Sequence, residues 1–252
     1  MNRTWLLGGL LVALAMAGGR SARADDKDAT AVVDKAIKAL GGEEKLGKAA
    51  GFTWKFKGVM TLNGSDNELT GQSTIAAPDR YKTDIDGEFN GTKVKLAHVV
   101  SGDKCWVRFG DTTMSLEGDA LAGEKRGLYL QLSALTVLPL KGKGYKVAAA
   151  GEEKVGDKPA AVLNVTGPDG KDFKLFFDKA SGLPVKMTAK VADPTGKEYD
   201  QESLHKGYKD FGGIQKATKI EVKRNGEKFL DQDLSDFKTL EKIEPGTFDE
   251  PK

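Results

Sequence analysis

The sequence is poor in the residues on which many enzymes and cross-linked secreted domains depend. It has one cysteine, Cys105, and two histidines, His98 and His205, in 252 residues. A single cysteine cannot form an internal disulfide, so the core must stabilise the fold. We expect Cys105 to be a buried thiol, because free cysteine is among the most buried residue types. Neither a histidine nor a helix start lies beside it in the sequence to activate it.

Catalytic and metal-binding motifs are also missing. The chain has no Gly-x-Ser-x-Gly, no His-Glu-x-x-His and no P-loop, and its two histidines are isolated from each other. Two acidic pairs, Asp84/Asp86 and Asp231/Asp233, each share a strand face and could hold calcium or perform acid–base chemistry. Solvated strand faces often carry such pairs, which is the simpler interpretation. The sequence therefore predicts no enzyme, no metal site and no cofactor.

Long apolar runs are absent except at the N-terminus. Arg3 precedes an apolar run over residues 5–17, and Ala22-Arg23-Ala24 then supplies a small-x-small pattern. This order is typical of a secretory signal peptide cleaved after Ala24. The run is too short for a membrane anchor, which needs about 20 apolar residues. We predict a signal peptide over residues 1–24 and one soluble domain over residues 25–252, located in the periplasm or otherwise exported.

The charge balance changes when the predicted signal peptide is removed. Three arginines and no acidic residue leave with it, so the remaining chain has 36 basic and 37 acidic residues and a net charge of −1. A chain this close to neutrality gives no reason to expect a nucleic-acid partner.

The predicted domain begins with a helix. Apolar residues recur at helical spacing over residues 28–40, with Asp28 or Thr30 as the cap and Gly41 at the end. A further helical turn is predicted over residues 43–48. One face of the first helix is apolar and the other carries lysine and aspartate, so this helix should lie on another part of the fold.

After residue 50 the apolar period changes from 3.6 to 2, which predicts strands. A helix over residues 118–135, with leucines at intervals, interrupts them. The Asn225-Gly226 dipeptide is the strongest two-residue hairpin signal. The predicted strands are 52–62, 68–76, 80–85, 92–100, 104–109, 112–116, 145–155, 160–166, 173–178, 184–192, 198–209, 217–224 and 228–236. About a dozen antiparallel strands in hairpin order form a sheet wide enough to curl or close, with two helices available to cover it.

The first predicted strand carries an apolar stripe on its even-numbered face. Phe52, Trp54, Phe56, Met60 and Leu62 share this face. One interpretation is an ordinary core under a helix. The other is the wall of a ligand cavity inside a curved sheet, since aromatic residues and methionine make an adaptable apolar lining. On the second interpretation we predict Trp54, Phe56, Met60 and Leu62 as ligand-binding residues.

Both ends of the predicted domain resemble one family. The matching segments are residues 36–46 followed by Gly58-Val59-Met60, then Ser181-Gly182-Leu183-Pro184-Val185-Lys186, Tyr208-Lys209-Asp210-Phe211-Gly212-Gly213-Ile214, Lys219-Ile220-Glu221-Val222, Arg224-Asn225-Gly226, and Ile243-Glu244-Pro245-Gly246-Thr247-Phe248 with Pro251. They resemble the LolA-like, outer membrane lipoprotein-sorting proteins. Residues 64–170 match only in strand character. The resemblance implies an incomplete, half-open antiparallel β-barrel capped by an N-terminal and an inserted helix, enclosing an apolar cavity.

Two functions are compatible with these patterns. The first is an exported soluble binding protein, a periplasmic carrier of lipid, lipoprotein acyl chains or another apolar ligand, in peripheral contact with membrane components. The alternative is an envelope interaction or assembly protein whose sheet is filled by its own side chains. An internal cavity distinguishes the two.

Overall fold

The computed structural model describes residues 21–89, 91–193 and 195–252, with side chains from residue 27 onward. The apolar run of the predicted signal peptide lies outside these residues. Within them, no helix has both the length and the apolar character needed to cross a membrane.

The described residues contain three α-helices. They are α1 Ser21–Leu40, α2 Glu43–Lys48 and α3 Gly118–Leu135, with a short 3-10 helix at Leu138–Lys141. The inserted helix is confirmed at its predicted bounds. The cap predicted at Asp28 or Thr30 is wrong, because α1 continues through both positions. Its predicted end is confirmed, since Gly41 and Gly42 have φ angles of 138° and 88° that L-residues avoid.

Fifteen strands make up the rest of the described fold. They are β1 Gly51–Leu62, β2 Ser65–Ala76, β3 Arg80–Phe89, β4 Thr92–Ser101, β5 Lys104–Phe109, β6 Thr112–Ser115, β7 Lys146–Val155, β8 Lys158–Thr166, β9 Asp172–Asp178, β10 Pro184–Ala192, β11 Glu198–Lys206, β12 Lys209–Asp210, β13 Gln215–Lys216, β14 Lys219–Arg224 and β15 Glu227–Leu240. Each predicted strand has a counterpart here, although several boundaries differ.

Thirteen of these strands form one antiparallel sheet in the order β6-β5-β4-β3-β2-β1-β15-β14-β11-β10-β9-β8-β7. The first and last strands of the chain, β1 and β15, pair at its centre. The two outer strands, β6 and β7, are its edges, and no pairing between them occurs in the described residues. The sheet is therefore an open barrel with helices against it, which confirms the predicted fold class.

The main core lies between the helices and the concave face of this sheet. Phe52, Trp54 and Phe56 of β1 are only 5%, 3% and 6% exposed, so the even-numbered face of β1 points inward as predicted. Helix α1 packs along β7, whereas α3 packs on β10 and reaches β5. The two helices thus cover different parts of one concave surface.

The hairpin predicted at Asn225-Gly226 is confirmed. Both residues have positive φ, 51° and 84°, in the turn between β14 and β15. A two-residue turn with positive φ at both positions twists in the same sense as its strands. Asn225 also anchors the turn laterally, because its Oδ1 accepts a hydrogen bond of 2.9 Å from the Asp200 backbone N–H.

For the strands predicted over residues 198–209 and 217–224, the predicted end of the first and the predicted start of the second are wrong. The chain leaves the sheet after Lys206 at Gly207, whose φ is 62°, and rejoins it at Lys219. In between, β12 and β13 form a two-stranded ribbon of their own. The Thr218 hydroxyl donates a 2.6 Å hydrogen bond to the Gly207 carbonyl and ties the base of the ribbon. A left-handed residue ends a strand, and the alternation of apolar residues does not reveal it.

Candidate ligand-binding cavity

A cavity of about 310 Å³ lies between α3 and the concave faces of β1, β10, β11, β14 and β15. Its apolar wall includes Leu40, Trp54, Leu130, Leu135, Met187, Leu230 and Leu234. Its polar lining includes Glu124, Gln131, Gln201, Ser203, His205, Lys216 and Arg224. The cavity is thus apolar along much of its wall, with charged groups at particular points. The other sizeable hollows run along outer strand faces and are more open.

The four predicted ligand-binding residues have different positions relative to this cavity. Trp54 lines it. The Phe56 ring packs over Gly71, where a Cβ atom would lie only 2.5 Å from the ring. Met60 is partly buried against the core, and Leu62 is 39% exposed at the end of β1. Among the described residues that line the cavity, β1 therefore contributes Trp54 and none of the other three.

An aromatic floor made of Phe52, Trp54, Phe211 and Phe237 supports one end of the cavity. Phe237 is at its centre, with ring centroids 5.6 Å from both Phe52 and Phe211 and 6.5 Å from Trp54. The register of β15 against β1 shifts by one residue near Trp54, at Asp236, which has a φ of 52°. Such a bulge changes the direction of the next side chain. It therefore helps to position Phe237 in the floor.

Lys216 of β13 lies over the aromatic floor. Its Nζ is 4.8 Å from the centroid of the Trp54 ring and 5.9 Å from that of Phe237, which is cation–π geometry. No described residue forms an ion pair or hydrogen bond with this ammonium group. Burial lowers the pKa of Lys216 to about 8. Sequence reasoning missed this residue, because only the excursion of the chain after Gly207 carries it into the cavity.

Two polar side chains of β11 lie on the same wall. His205 Nε2 is buried and has no hydrogen-bond partner among the described residues. Burial, with a smaller contribution from the charge of Lys216, lowers the pKa of His205 to about 3, so the ring is neutral at pH 7. Ser203 is 4% exposed and lines the cavity two residues away on the same strand face. The Lys216 end of the cavity thus has polar groups with unused hydrogen-bonding capacity.

Arg224 is the last residue of β14, and its guanidinium group already has partners within the protein. Its guanidinium carbon is 3.7 Å from the Phe229 ring centroid and 5.1 Å from that of Tyr199. Its Nε donates a 3.1 Å hydrogen bond to Gln201 Oε1. Burial lowers the pKa of Arg224, while nearby Tyr199 and carboxylates oppose that shift. The protein itself therefore holds this cation in place.

The prediction of a buried Cys105 is confirmed, with 0% exposure. No histidine lies beside Cys105 in the sequence, but the pairing of β4 with β5 brings His98 Nε2 to 3.4 Å from Cys105 Sγ. The same nitrogen lies 3.3 Å from Glu124 Oε2. Burial, reinforced by the Glu124 charge, raises the pKa of Cys105 to about 12. The thiol is therefore protonated at neutral pH and is not an activated nucleophile.

The acidic pairs singled out in the sequence lie on strand faces with lysine partners. Asp84 pairs with Lys82 at 3.2 Å, and Asp231 pairs with Lys219 at 3.0 Å. Within the described ranges, no three His, Cys, Asp or Glu side chains are grouped so as to hold a metal ion.

No protein-family model and no curated protein sequence matches the chain. Several solved structures are similar to this chain. A DUF1329 family protein from Desulfovibrio piger is 14% identical, with 88% of this chain and 97% of that chain covered and a TM-score of 0.57. LolA superfamily protein NE2245 from Nitrosomonas europaea is 13% identical, with coverage of 88% and 97% and a TM-score of 0.56. The chain has the LolA fold.

A third structure of this fold is a domain from Vibrio parahaemolyticus described as an outer membrane lipoprotein-sorting protein. It is 14% identical, with 86% of this chain and 97% of that chain covered and a TM-score of 0.55. The resemblance inferred from the two ends of the sequence is thus confirmed at the level of the fold.

Proposed function

We propose that this protein is an exported binding protein, a periplasmic carrier that holds a lipid, an acyl chain or another apolar ligand in the cavity under α3. The observation that carries the proposal is the cavity of about 310 Å³ between α3 and the sheet, lined by Trp54 of the aromatic floor and by a wall of leucines and Met187. The lipoprotein-sorting domain of the same fold supports it. Export is proposed from the signal-peptide pattern of residues 1–24, with residues 25–252 as one binding domain.

The size of the cavity favours a slender ligand. Its 310 Å³ lies at the lower end of the usual range for small-molecule pockets, about 300–1,000 Å³. We therefore propose one alkyl or acyl chain rather than a bulky lipid with several chains. Each methylene group buried from water contributes roughly 0.8 kcal/mol, so an apolar chain can bind without a dense network of polar contacts.

Titration with a fluorescent acyl probe tests the proposal, using two matched leucine variants. Leu230 of β15 lines the cavity, while Leu62 lies at the exposed end of β1. Leu230→Trp should occupy space needed by the ligand and weaken binding by about tenfold or more, which corresponds to the loss of about two buried methylenes. Leu62→Trp should bind like the wild type. Equal weakening by both variants would instead support the longer site predicted from the β1 stripe.

A second function follows if the wild type binds no acyl probe. In that case the protein is an envelope interaction or assembly protein, and its side chains together with water occupy the interior. Native mass spectrometry of protein purified from the cell envelope separates the two functions. A co-purified apolar small molecule supports the carrier, and a stoichiometric protein partner without such a ligand supports the alternative.

A further inference from the structure

Lys216 is half-buried and lines the cavity, and its ammonium group has no counter-ion among the described residues. It lies over Trp54 and Phe237 and makes no ion pair or hydrogen bond with any described residue. A buried cation without a partner is destabilising, and the attraction of the two rings offsets this only in part. The lowered pKa of Lys216 reflects the same cost of burial.

The carboxylates on the cavity wall do not neutralise this charge. Glu124 contacts His98 at 3.3 Å. Asp193 accepts hydrogen bonds from the Thr195 hydroxyl at 2.6 Å and the Tyr199 hydroxyl at 3.0 Å. Neither carboxylate forms an ion pair with Lys216 in the described structure. The positive charge is thus left available at one end of an otherwise apolar cavity.

We propose that the cavity takes a single-chain anionic amphiphile, a long-chain fatty acid, whose carboxylate lies against the Lys216 ammonium group. This inference rests on the proposed carrier function and names the class of ligand. The alkyl chain extends from Lys216 along the apolar wall between α3 and the sheet, past Leu135 and Met187. Charge-assisted hydrogen bonds are roughly twice as strong as neutral ones. The carboxylate would give the Lys216 ammonium group a partner that no described residue supplies.

A carboxylate fits this end of the cavity better than a phosphate. Ser203 and His205 on the same wall are neutral at pH 7, so Lys216 provides a single positive charge at this end of the cavity. One carboxylate balances that charge. A phosphate monoester carries about 1.5 to 2 negative charges at pH 7 and would leave an uncompensated negative charge in the cavity.

The test compares a conjugated fluorescent fatty acid with its methyl ester, which has the same chain and no charge, in titrations of the full-length mature protein at pH 7. An alkyl phosphate of matched length is a third ligand. The variants are Lys216→Met, which removes the charge and keeps a flexible apolar side chain, and Lys216→Arg, which restores a cation. Lys209→Met is the matched control, because Lys209 lies opposite Lys216 in the same ribbon and is exposed.

We expect the wild type to bind the acid about tenfold or more tightly than the ester, as the loss of a charged hydrogen bond predicts. Lys216→Met should abolish this preference and leave ester binding within about twofold, Lys216→Arg should retain much of it, and Lys209→Met should not change it. Equal wild-type affinity for acid and ester, or a preference that survives Lys216→Met, overturns the inference while the carrier function stands. Tighter binding of the alkyl phosphate than of the acid also overturns it. A wild-type protein that binds none of the three ligands overturns the carrier function itself.

Discussion

His205 shows how a single side chain can couple this fold to pH. Its ring lies on the cavity wall beside the positive charge of Lys216, with Nε2 buried and without a hydrogen-bond partner in the described part of the chain. Protonation in the folded state would bury a second cation beside the first. The folded protein therefore keeps this ring neutral, and burial lowers the pKa of His205 to about 3.

Stability should consequently fall in mild acid. The folded-state pKa of His205 is below the unfolded value of about 6.5, so the unfolded chain binds more protons between these two values. The free energy of unfolding should decrease by up to about 1.4 kcal/mol for each pH unit below about 6.5. Urea denaturation of the wild type and of His205→Phe, between pH 7.5 and pH 5, measures this difference.

His98→Gln is the matched control for that measurement. Burial lowers the pKa of His98, but the neighbouring Glu124 opposes the shift. The control should therefore retain most of the wild-type decrease, whereas His205→Phe should lose most of it. A His205→Phe protein that destabilises with acid as steeply as the wild type would show that His205 is not responsible.

At the scale of elements, the β14–β15 hairpin depends on two left-handed residues. Gly226 has a φ of 84°, and the space around its Cβ position is open. Substitution there is therefore limited by backbone conformation and not by contacts. Gly226→Val should lower the free energy of unfolding by about 1–2 kcal/mol, because a β-branched residue resists positive φ.

Gly226→Asn is the control for the hairpin, since asparagine tolerates the left-handed region better than other residues with a side chain. It should destabilise the protein clearly less than Gly226→Val. Chemical denaturation of both variants measures the difference. Equal effects would mean that the size of the side chain, and not the conformation of the backbone, determines the cost.

At the scale of the whole molecule, α3 bridges the two sides of the open sheet through neighbouring residues. The Lys125 ammonium donates to Asp103 Oδ1 at 2.7 Å, in the turn between β4 and β5. Arg126 is 4% exposed and points the other way, with Nη1 2.7 Å from Asp169 Oδ2 and Nε 2.7 Å from the Lys190 carbonyl. Helix α3 therefore covers the cavity and joins strands that are distant in the sheet order.

Loss of the Arg126 anchor should loosen this cover. Arg126→Met leaves the backbone carbonyls of Lys190 and Asp172 and the Asp169 carboxylate without their donor, so we expect a loss of about 2–4 kcal/mol in the free energy of unfolding. Amide hydrogen exchange should accelerate most in α3. Lys125→Met, which removes a partly exposed ion pair on the same helix, should have little measurable effect. Equal effects of the two variants would contradict a special role for Arg126.

Local signals in the sequence were sufficient for most of the secondary structure. The leucines of residues 118–135 predicted α3 at its observed bounds, and Asn225-Gly226 predicted a turn with positive φ at both positions. These signals are local, because helical spacing and turn chemistry act within a few residues. The excursion at Gly207 was not predicted, since a glycine within an alternating pattern has several structural explanations.

The candidate site also has features that local sequence patterns determine and features that only the fold determines. The period-2 pattern of β1 by itself determined that Trp54 faces the interior, because alternate side chains of a strand point to opposite faces. Only the tertiary structure decided that the cavity wall passes from Trp54 to Leu230 on β15 and that His98 lies against Cys105. It also decided that Lys216 lies over Trp54 with no counter-ion in the described part of the chain. These contacts join residues that are distant in the chain and depend on strand pairing and on a two-stranded ribbon. Periodicity within one segment of the sequence carries no record of them.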